Sequence, residues 1–190
     1  MDVDTDHLRP GTPGHFFFAK ETPYGLALIR IVLPLILLCV VLPRWSHSRE
    51  LFSTDGAAAP LALNYGYENF PPEPSGVGAV LMMTALAFFL VSASIGWHTR
   101  ISLLASWGLY TYLNMLDCLS TFTKYSVISS HILLLLSLSE CGAIWSVDRW
   151  RANGTADAPP RQVSAWPRRL IQLLIGLIYF GASFTKMHTE

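Results

Sequence analysis

The sequence predicts an all-α integral membrane fold, a polytopic bundle of about five transmembrane helices, and three observations predict it. First, of 190 residues 52% are hydrophobic and only 14% are charged, whereas soluble domains carry roughly 25% charged residues. Second, residues 76–97 contain no Asp, Glu, Lys or Arg, a run long enough to cross a hydrocarbon core of ~30 Å. Third, the final stretch, 166–186, reads as a helix whose non-hydrophobic members Gln172, Gly176, Tyr179, Ser183 and Lys186 recur at steps of four and three. Such spacing puts all five on one stripe. The rest is mostly Leu, Ile and Phe, so the stripe is expected to face other protein inside a membrane.

Composition narrows the function classes. Net charge is zero, which argues against a nucleic-acid partner. Cys39, Cys118 and Cys141 are scattered in or beside apolar runs. An odd, dispersed set gives neither a disulfide framework nor a metal-ligand spacing, and buried thiols are the reading. No His-Glu-x-x-His, Gly-rich nucleotide loop or Gly-x-Ser-x-Gly occurs, and no metal site is assigned.

Residues 1–23 read as a flexible cytoplasmic head with Asp2, Asp4 and Asp6, its Phe16-Phe17-Phe18 run suited to the membrane interface. It lacks the apolar core of a signal peptide. The first span is 25–42, with Arg30 inside it and Pro34 at a predicted kink. Residues 43–75 form an extramembrane loop with a short helix at 48–53. The second span is 76–97. After the break His98-Thr99-Arg100, the third covers 101–116, with Ser106, Tyr110, Asn114 and Asp117 at helical spacing. The fourth, 126–145, contains His131 and Glu140. Residues 146–165 form a polar loop, in which Asn153-Gly154-Thr155 matches a glycosylation sequon and is read as a chance occurrence. The fifth span, 166–186, starts with Ser164 as cap and Pro167 in its first turn.

Five spans divide the loops between two sides. Arg9, Lys20, Arg100, Arg149, Arg151, Arg161, Arg168 and Arg169 fall with the N-terminus; Arg44, Arg49, Lys124 and Lys186 fall opposite. This asymmetry orients the N-terminus toward the cytoplasm.

Arg30 and Glu140 then lie at similar depths from the inner side. A charge in lipid costs several kcal/mol unless paired or hydrated, so the two are expected to pair, either structurally or functionally. The outer side gathers Asp117, Lys124, Tyr125, His131, Lys186 and His188. His131 is either an interhelical hydrogen-bonding contact or a proton-transfer group. Lys186 is either a snorkelling helix-end lysine or, if held from water, a base.

Three runs join these observations: Ser94-Ile-Gly-Trp-His-Thr-Arg-Ile-Ser102, Ile144-Trp-Ser-Val-Asp148, and Leu170-Ile-Gln-Leu continuing to Ile178-Tyr-Phe-Gly-Ala-Ser-Phe-Thr-Lys186. With Arg30, their order and spacing resemble the horizontally transferred transmembrane (HTTM) domain, the membrane domain shared with vitamin K-dependent gamma-carboxylase. The resemblance spans about 22–188, and the transmembrane domain is taken as 24–190.

The resemblance implies a base at Lys186 that deprotonates a reduced quinone such as vitamin K hydroquinone; the topology sets Tyr125 and His131 nearby as further catalytic candidates, and Asp117 with Tyr179 and Ser183 of the stripe as binding candidates. Tyr125 occupies the position of the carboxylase histidine, and His131 lies six residues later. The carboxylase continues into more helices and a substrate-binding outer domain, so this chain is expected to be the N-terminal part of a larger bundle or a reduced relative. Two functions follow from the resemblance. One is a quinone- or isoprenoid-lipid-binding, carboxylase-like enzyme; the other is a non-catalytic bundle that anchors or binds a protein partner in the membrane. Both place the chain in the lipid bilayer, as an integral protein of a bacterial cytoplasmic membrane.

Overall fold

Long runs of Leu, Ile, Val and Phe satisfy their own backbone only as helices when water is absent, and helices dominate the computed structural model. It describes residues 13–61, 65–67, 70–117, 119, 121–154 and 161–188. In chain order the elements are α1 (Pro13–Phe18), β1 (Lys20–Glu21), α2 (Tyr24–Trp45), α3 (Ser48–Phe52), α4 (Gly76–Ile95), α5 (Thr99–Leu116) and α6 (Lys124–Leu138). A 3-10 turn at Cys141–Ala143, α7 (Val147–Asn153), β2 (Val163–Ser164) and α8 (Trp166–His188) complete the order.

Among the described residues, three helices are long and apolar enough to cross a bilayer: Tyr24–Trp45, Gly76–Ile95 and Trp166–Met187. α5 reaches that length, but Ser102, Ser106, Tyr110 and Asn114 dilute its apolarity, and all four are buried in the bundle. α6 departs from the expected span 126–145. It stops at Leu138, giving 15 residues, or about 22 Å at 1.5 Å per residue. The Ser139 backbone is extended, its hydroxyl donates to the Leu136 carbonyl at 2.7 Å, and the chain turns away. Serines that bond nearby backbone carbonyls offer the chain an exit from the helix.

α2, α4, α5 and α6 pack as the bundle, with α2 on α4, α4 on α5 and α5 on α6. Leu26, Met83, Leu86, Leu90, Leu103, Leu133 and Leu136 are wholly or almost wholly buried between them. Small polar residues fill the closest approaches, as where the Thr111 and Ser130 hydroxyls bond across α5 and α6 at 2.6 Å. Helix ends follow from local chemistry. Ser75 caps α4 by accepting from the Gly78 amide, and Thr123 and Ser126 form a reciprocal capping box on α6.

α8 is the exception to the packing. It meets α6, α2 and α1 along a narrow line, and from Gln172 to Met187 only Leu174 and Ile178 are even partly covered. The five-residue stripe is therefore not turned toward the other helices. Gln172, Gly176, Tyr179, Ser183 and Lys186 are all exposed, and the inward contacts come from Ile171, Leu174 and Ile178.

The start of α8 is held firmly. β1 pairs antiparallel with β2, Lys20 opposite Ser164 and Glu21 opposite Val163. Arg168 forks onto the Glu21 carboxylate, its Nε donating at 2.6 Å, and the Arg169 guanidinium sits 4.3 Å from the Phe16 ring centre. Ser164, expected as a helix cap, serves in this ladder instead. Residues 13–21, expected in a flexible head, are ordered by these contacts. The remainder of that head (1–12), Cys118, Thr155 of the sequon and the His188 side chain lie outside what is described. Cys39 is exposed and Cys141 buried, both as free thiols.

Candidate functional site

Two of the three runs that carry the resemblance, 94–102 and 144–148, meet Arg30 at one end of the bundle. Arg30, on the first turns of α2, has 0% exposure. Its Nη1 donates to the Ala93 carbonyl at 3.0 Å and the Ser94 carbonyl at 3.3 Å, and its Nη2 donates to the Trp145 carbonyl at 2.5 Å. The first two are among the last four carbonyls of α4, which lack a donor from the next helical turn; the Ala93 carbonyl also accepts from the Gly96 amide at 3.2 Å, and the helix dipole here favours a cation.

The expected Arg30–Glu140 pair is thus not formed. Backbone carbonyls hold the guanidinium, while Glu140, past the end of α6, faces Arg100 and Arg161 at 3.8 and 3.6 Å. The shorter α6 explains the difference, because residue 140 no longer follows the helical register into the bundle.

Gly96 makes the junction possible. It ends α4 at φ +80°, and a Cβ there would collide with Arg30 Nη1 and come within 2.8 Å of the Ser146 backbone. Asp148 closes the junction from the other side. One carboxylate oxygen accepts from the His98 amide at 2.8 Å, and the other accepts from the Thr99 amide and hydroxyl, each at 2.7 Å. Burial opposes the charge, but these hydrogen bonds outweigh it and hold the Asp148 carboxyl below its ordinary range. Sequence reasoning misses Asp148 as a functional position. Its signal is an acid in the Ile144–Asp148 run and a Thr at the start of α5, whose free amides need an acceptor.

A second feature lies at the opposite end, between α6 and α8. Phe122, Val127, Ile128, Leu174 and Ile178 wall a groove of about 410 Å³, with Lys124 and His131 in its lining. His131 Nδ1 is 2.7 Å from the Val127 carbonyl. A carbonyl can only accept, so Nδ1 carries the hydrogen, and in the neutral ring Nε2 is left as an acceptor.

The other sequence-predicted residues are not gathered there. Tyr125 is exposed beside the groove, with the Lys124 ammonium 5.3 Å from its ring centre. Asp117 is buried at the end of α5, bridged to Ala59 of the long loop. Tyr179, Ser183 and Lys186 lie on the outward face of α8. At 100° per residue the stripe is centred roughly a third of a turn from the line of Ile171, Leu174 and Ile178. Among the described residues, no three His, Cys, Asp or Glu side chains converge as a metal site.

Apolar spanning helices, buried small polar residues at their contacts and a buried arginine held by backbone carbonyls through both terminal nitrogens define an α-helical membrane domain. The HTTM domain model matches residues 18–190, and the chain belongs to the HTTM domain family. Searches among curated proteins and among solved structures return no match.

Proposed function

We propose that this membrane domain binds a reduced quinone or another isoprenoid lipid in the groove between α6 and α8. The observation that carries the reading is an apolar groove, walled by Val127, Ile128, Leu174 and Ile178, with one imidazole in its lining. Apolar walls with a few placed polar groups suit an amphiphilic ligand. An isoprenoid tail would lie along the Leu and Ile walls. A quinol hydroxyl would donate to His131 Nε2, the acceptor left by the bond at Nδ1. Lys124 would bring positive charge toward an oxygen that becomes anionic.

Lys186 is the candidate base. It stands about 12 Å along α8 from Ile178, so it would act on the ring only after the ring leaves His131 for the outer mouth of the groove. Tyr125 would flank that ring, and Tyr179 and Ser183 would contact it only if it wraps onto the outward face. In this reading the N-terminus is cytoplasmic in a bacterial membrane, and the family resemblance supplies vitamin K hydroquinone as the first ligand to test.

The test uses the full chain in nanodiscs, with vitamin K hydroquinone binding followed anaerobically and epoxide formation followed separately with dioxygen supplied as oxidant and oxygen source. His131→Leu should weaken binding about tenfold, the effect of losing one hydrogen bond to the ligand. Lys186→Ala should leave binding intact and abolish epoxide formation. Absence of hydroquinone binding by the wild type overturns the lipid-site reading, and equal epoxide formation by wild type and Lys186→Ala overturns the assignment of the base.

One observation favours a second reading, a non-catalytic partner-binding bundle. The stripe Gln172, Gly176, Tyr179, Ser183 and Lys186 is exposed along its whole length, and small and polar residues on a membrane helix suit a helix–helix contact. Gly176→Leu should then dissociate a membrane partner while hydroquinone binding persists.

A further inference from the structure

We propose that the cleft at the Arg30 end of the bundle binds a phosphate-bearing anion at the membrane surface, through Arg100 and Arg161. The cleft measures about 600 Å³ and lies where α5 starts, α6 ends and α7 crosses. It is separate from the α6–α8 groove, whose lining on α6 ends at His131, eight residues or about 12 Å before Ser139, and it does not depend on the quinone reading.

Three arginines from separate segments line it: Arg100 on the first turn of α5, Arg149 on α7 and Arg161 just before β2. Against them, among the described lining residues, stand two carboxylates, and one is committed. Asp148 spends both oxygens on the His98 and Thr99 amides and the Thr99 hydroxyl. Glu140 is the other, 3.8 Å from Arg100 and 3.6 Å from Arg161. These are loose contacts between exposed side chains, which water and salt screen strongly. One carboxylate shared at this distance leaves two guanidinium forks with donors to spare, a geometry that suits phosphate oxygens. Arg149 is steadied by donating to the Ala143 carbonyl and adds charge to the rim.

The position of the cleft favours a phosphate presented by lipid. Trp97, Trp145 and Trp150 are all exposed at this end, and the Tyr24 and Trp145 rings lie 5.5 Å apart. Indole rings concentrate at headgroup level, so the cleft opens at the depth of lipid phosphates. Glu140 then acts as an internal competitor, holding Arg100 and Arg161 in place until a phosphate displaces it.

Native mass spectrometry of the full chain, taken from nanodiscs of phosphatidylcholine with and without phosphatidylglycerol, tests the proposal. A parallel thermal-shift titration uses inorganic phosphate. The wild type should retain phosphatidylglycerol adducts, and Arg100→Gln with Arg161→Gln should reduce retention by about fivefold or more for each guanidinium removed. Glu140→Gln should increase retention, because it removes the competitor; a purely structural ion cluster gives no such gain. A phosphate-dependent shift without lipid preference keeps the site and assigns it a soluble phosphate ester. Equal retention by wild type and the double arginine variant, both folded by circular dichroism, overturns the proposal, as does binding of neither probe. The two arginine substitutions leave the His131 groove intact, so persistent hydroquinone binding in them separates this failure from that of the quinone reading.

Discussion

Thr99 gives both its backbone amide and its hydroxyl to the same carboxylate oxygen of Asp148, each at 2.7 Å, across a separation of 49 residues. This contact fastens the start of α5 to the segment after α6. The Asp148 amide completes a loop by donating to the Gly96 carbonyl at 3.0 Å. A helix start usually finds its acceptor within its own turn; here it comes from a distant segment, so α5 is capped only after the bundle has assembled.

Asp148→Asn should therefore destabilise the folded chain by about 1–2 kcal/mol, since the amide keeps one acceptor and loses the charge-assisted bonds. The pH dependence has a definite sign. The native carboxyl is held below its ordinary value, so its contribution is complete above the unfolded value of about 3.9 and disappears as pH falls through the native one. Thermal melts in detergent should show an acid-side loss in wild type in that window that is smaller in Asp148→Asn.

Arg30→Met should cost about 3 kcal/mol or more, because it removes a donor from the Ala93, Ser94 and Trp145 carbonyls, of which Ala93 keeps the Gly96 amide. Arg30→Lys should fall between, as an ammonium keeps the charge but cannot fork to carbonyls on two segments. Fluorescence-detected size exclusion after heating should rank wild type, Lys and Met in that order of stability. Equal stability of Arg30→Met and wild type would refute the role given to the guanidinium.

Gly96→Ala should be more damaging than an ordinary glycine substitution. It meets a left-handed backbone, the Arg30 guanidinium and the Ser146 backbone at 2.8 Å. A loss of at least about 2 kcal/mol is expected. Gly108→Ala on α5, where an added Cβ meets nothing within 4 Å, is the control and should be neutral or slightly stabilising.

Orientation can be read by labelling. Thr54 and Arg151 are both exposed, one in the loop before α4 and the other on α7. Thr54→Cys and Arg151→Cys, each made singly in a chain lacking its native thiols, should react with an impermeant maleimide from opposite sides of the membrane. The first should label in intact cells and the second only after permeabilisation. Reaction of both from outside would refute the cytoplasmic assignment of the N-terminus.

The hydrophobic runs make α2, α4 and α8 legible from sequence, since length and apolarity alone decide whether a helix can span. The buried side of α5 is legible from the spacing of Ser106, Tyr110 and Asn114. The end of α6 is not, because Ser139 looks like one more small residue in an apolar run until its hydroxyl is seen on the Leu136 carbonyl. Charge and depth match Arg30 with Glu140, but a guanidinium has donors enough to be satisfied by carbonyls, which no sequence pattern displays. The polar stripe of α8 is legible as a stripe. Its direction is not, because periodicity fixes which residues share a face and not what that face meets.

α8 is clamped at its base by the β1–β2 ladder and the Arg168–Glu21 fork, and beyond Ile178 every residue to Met187 is exposed. Between that base and Ile178, only Leu174 and Ile178 of the residues after Ile171 turn toward the bundle, so two aliphatic side chains, rather than an interlocked helix face, set the width of the α6–α8 groove.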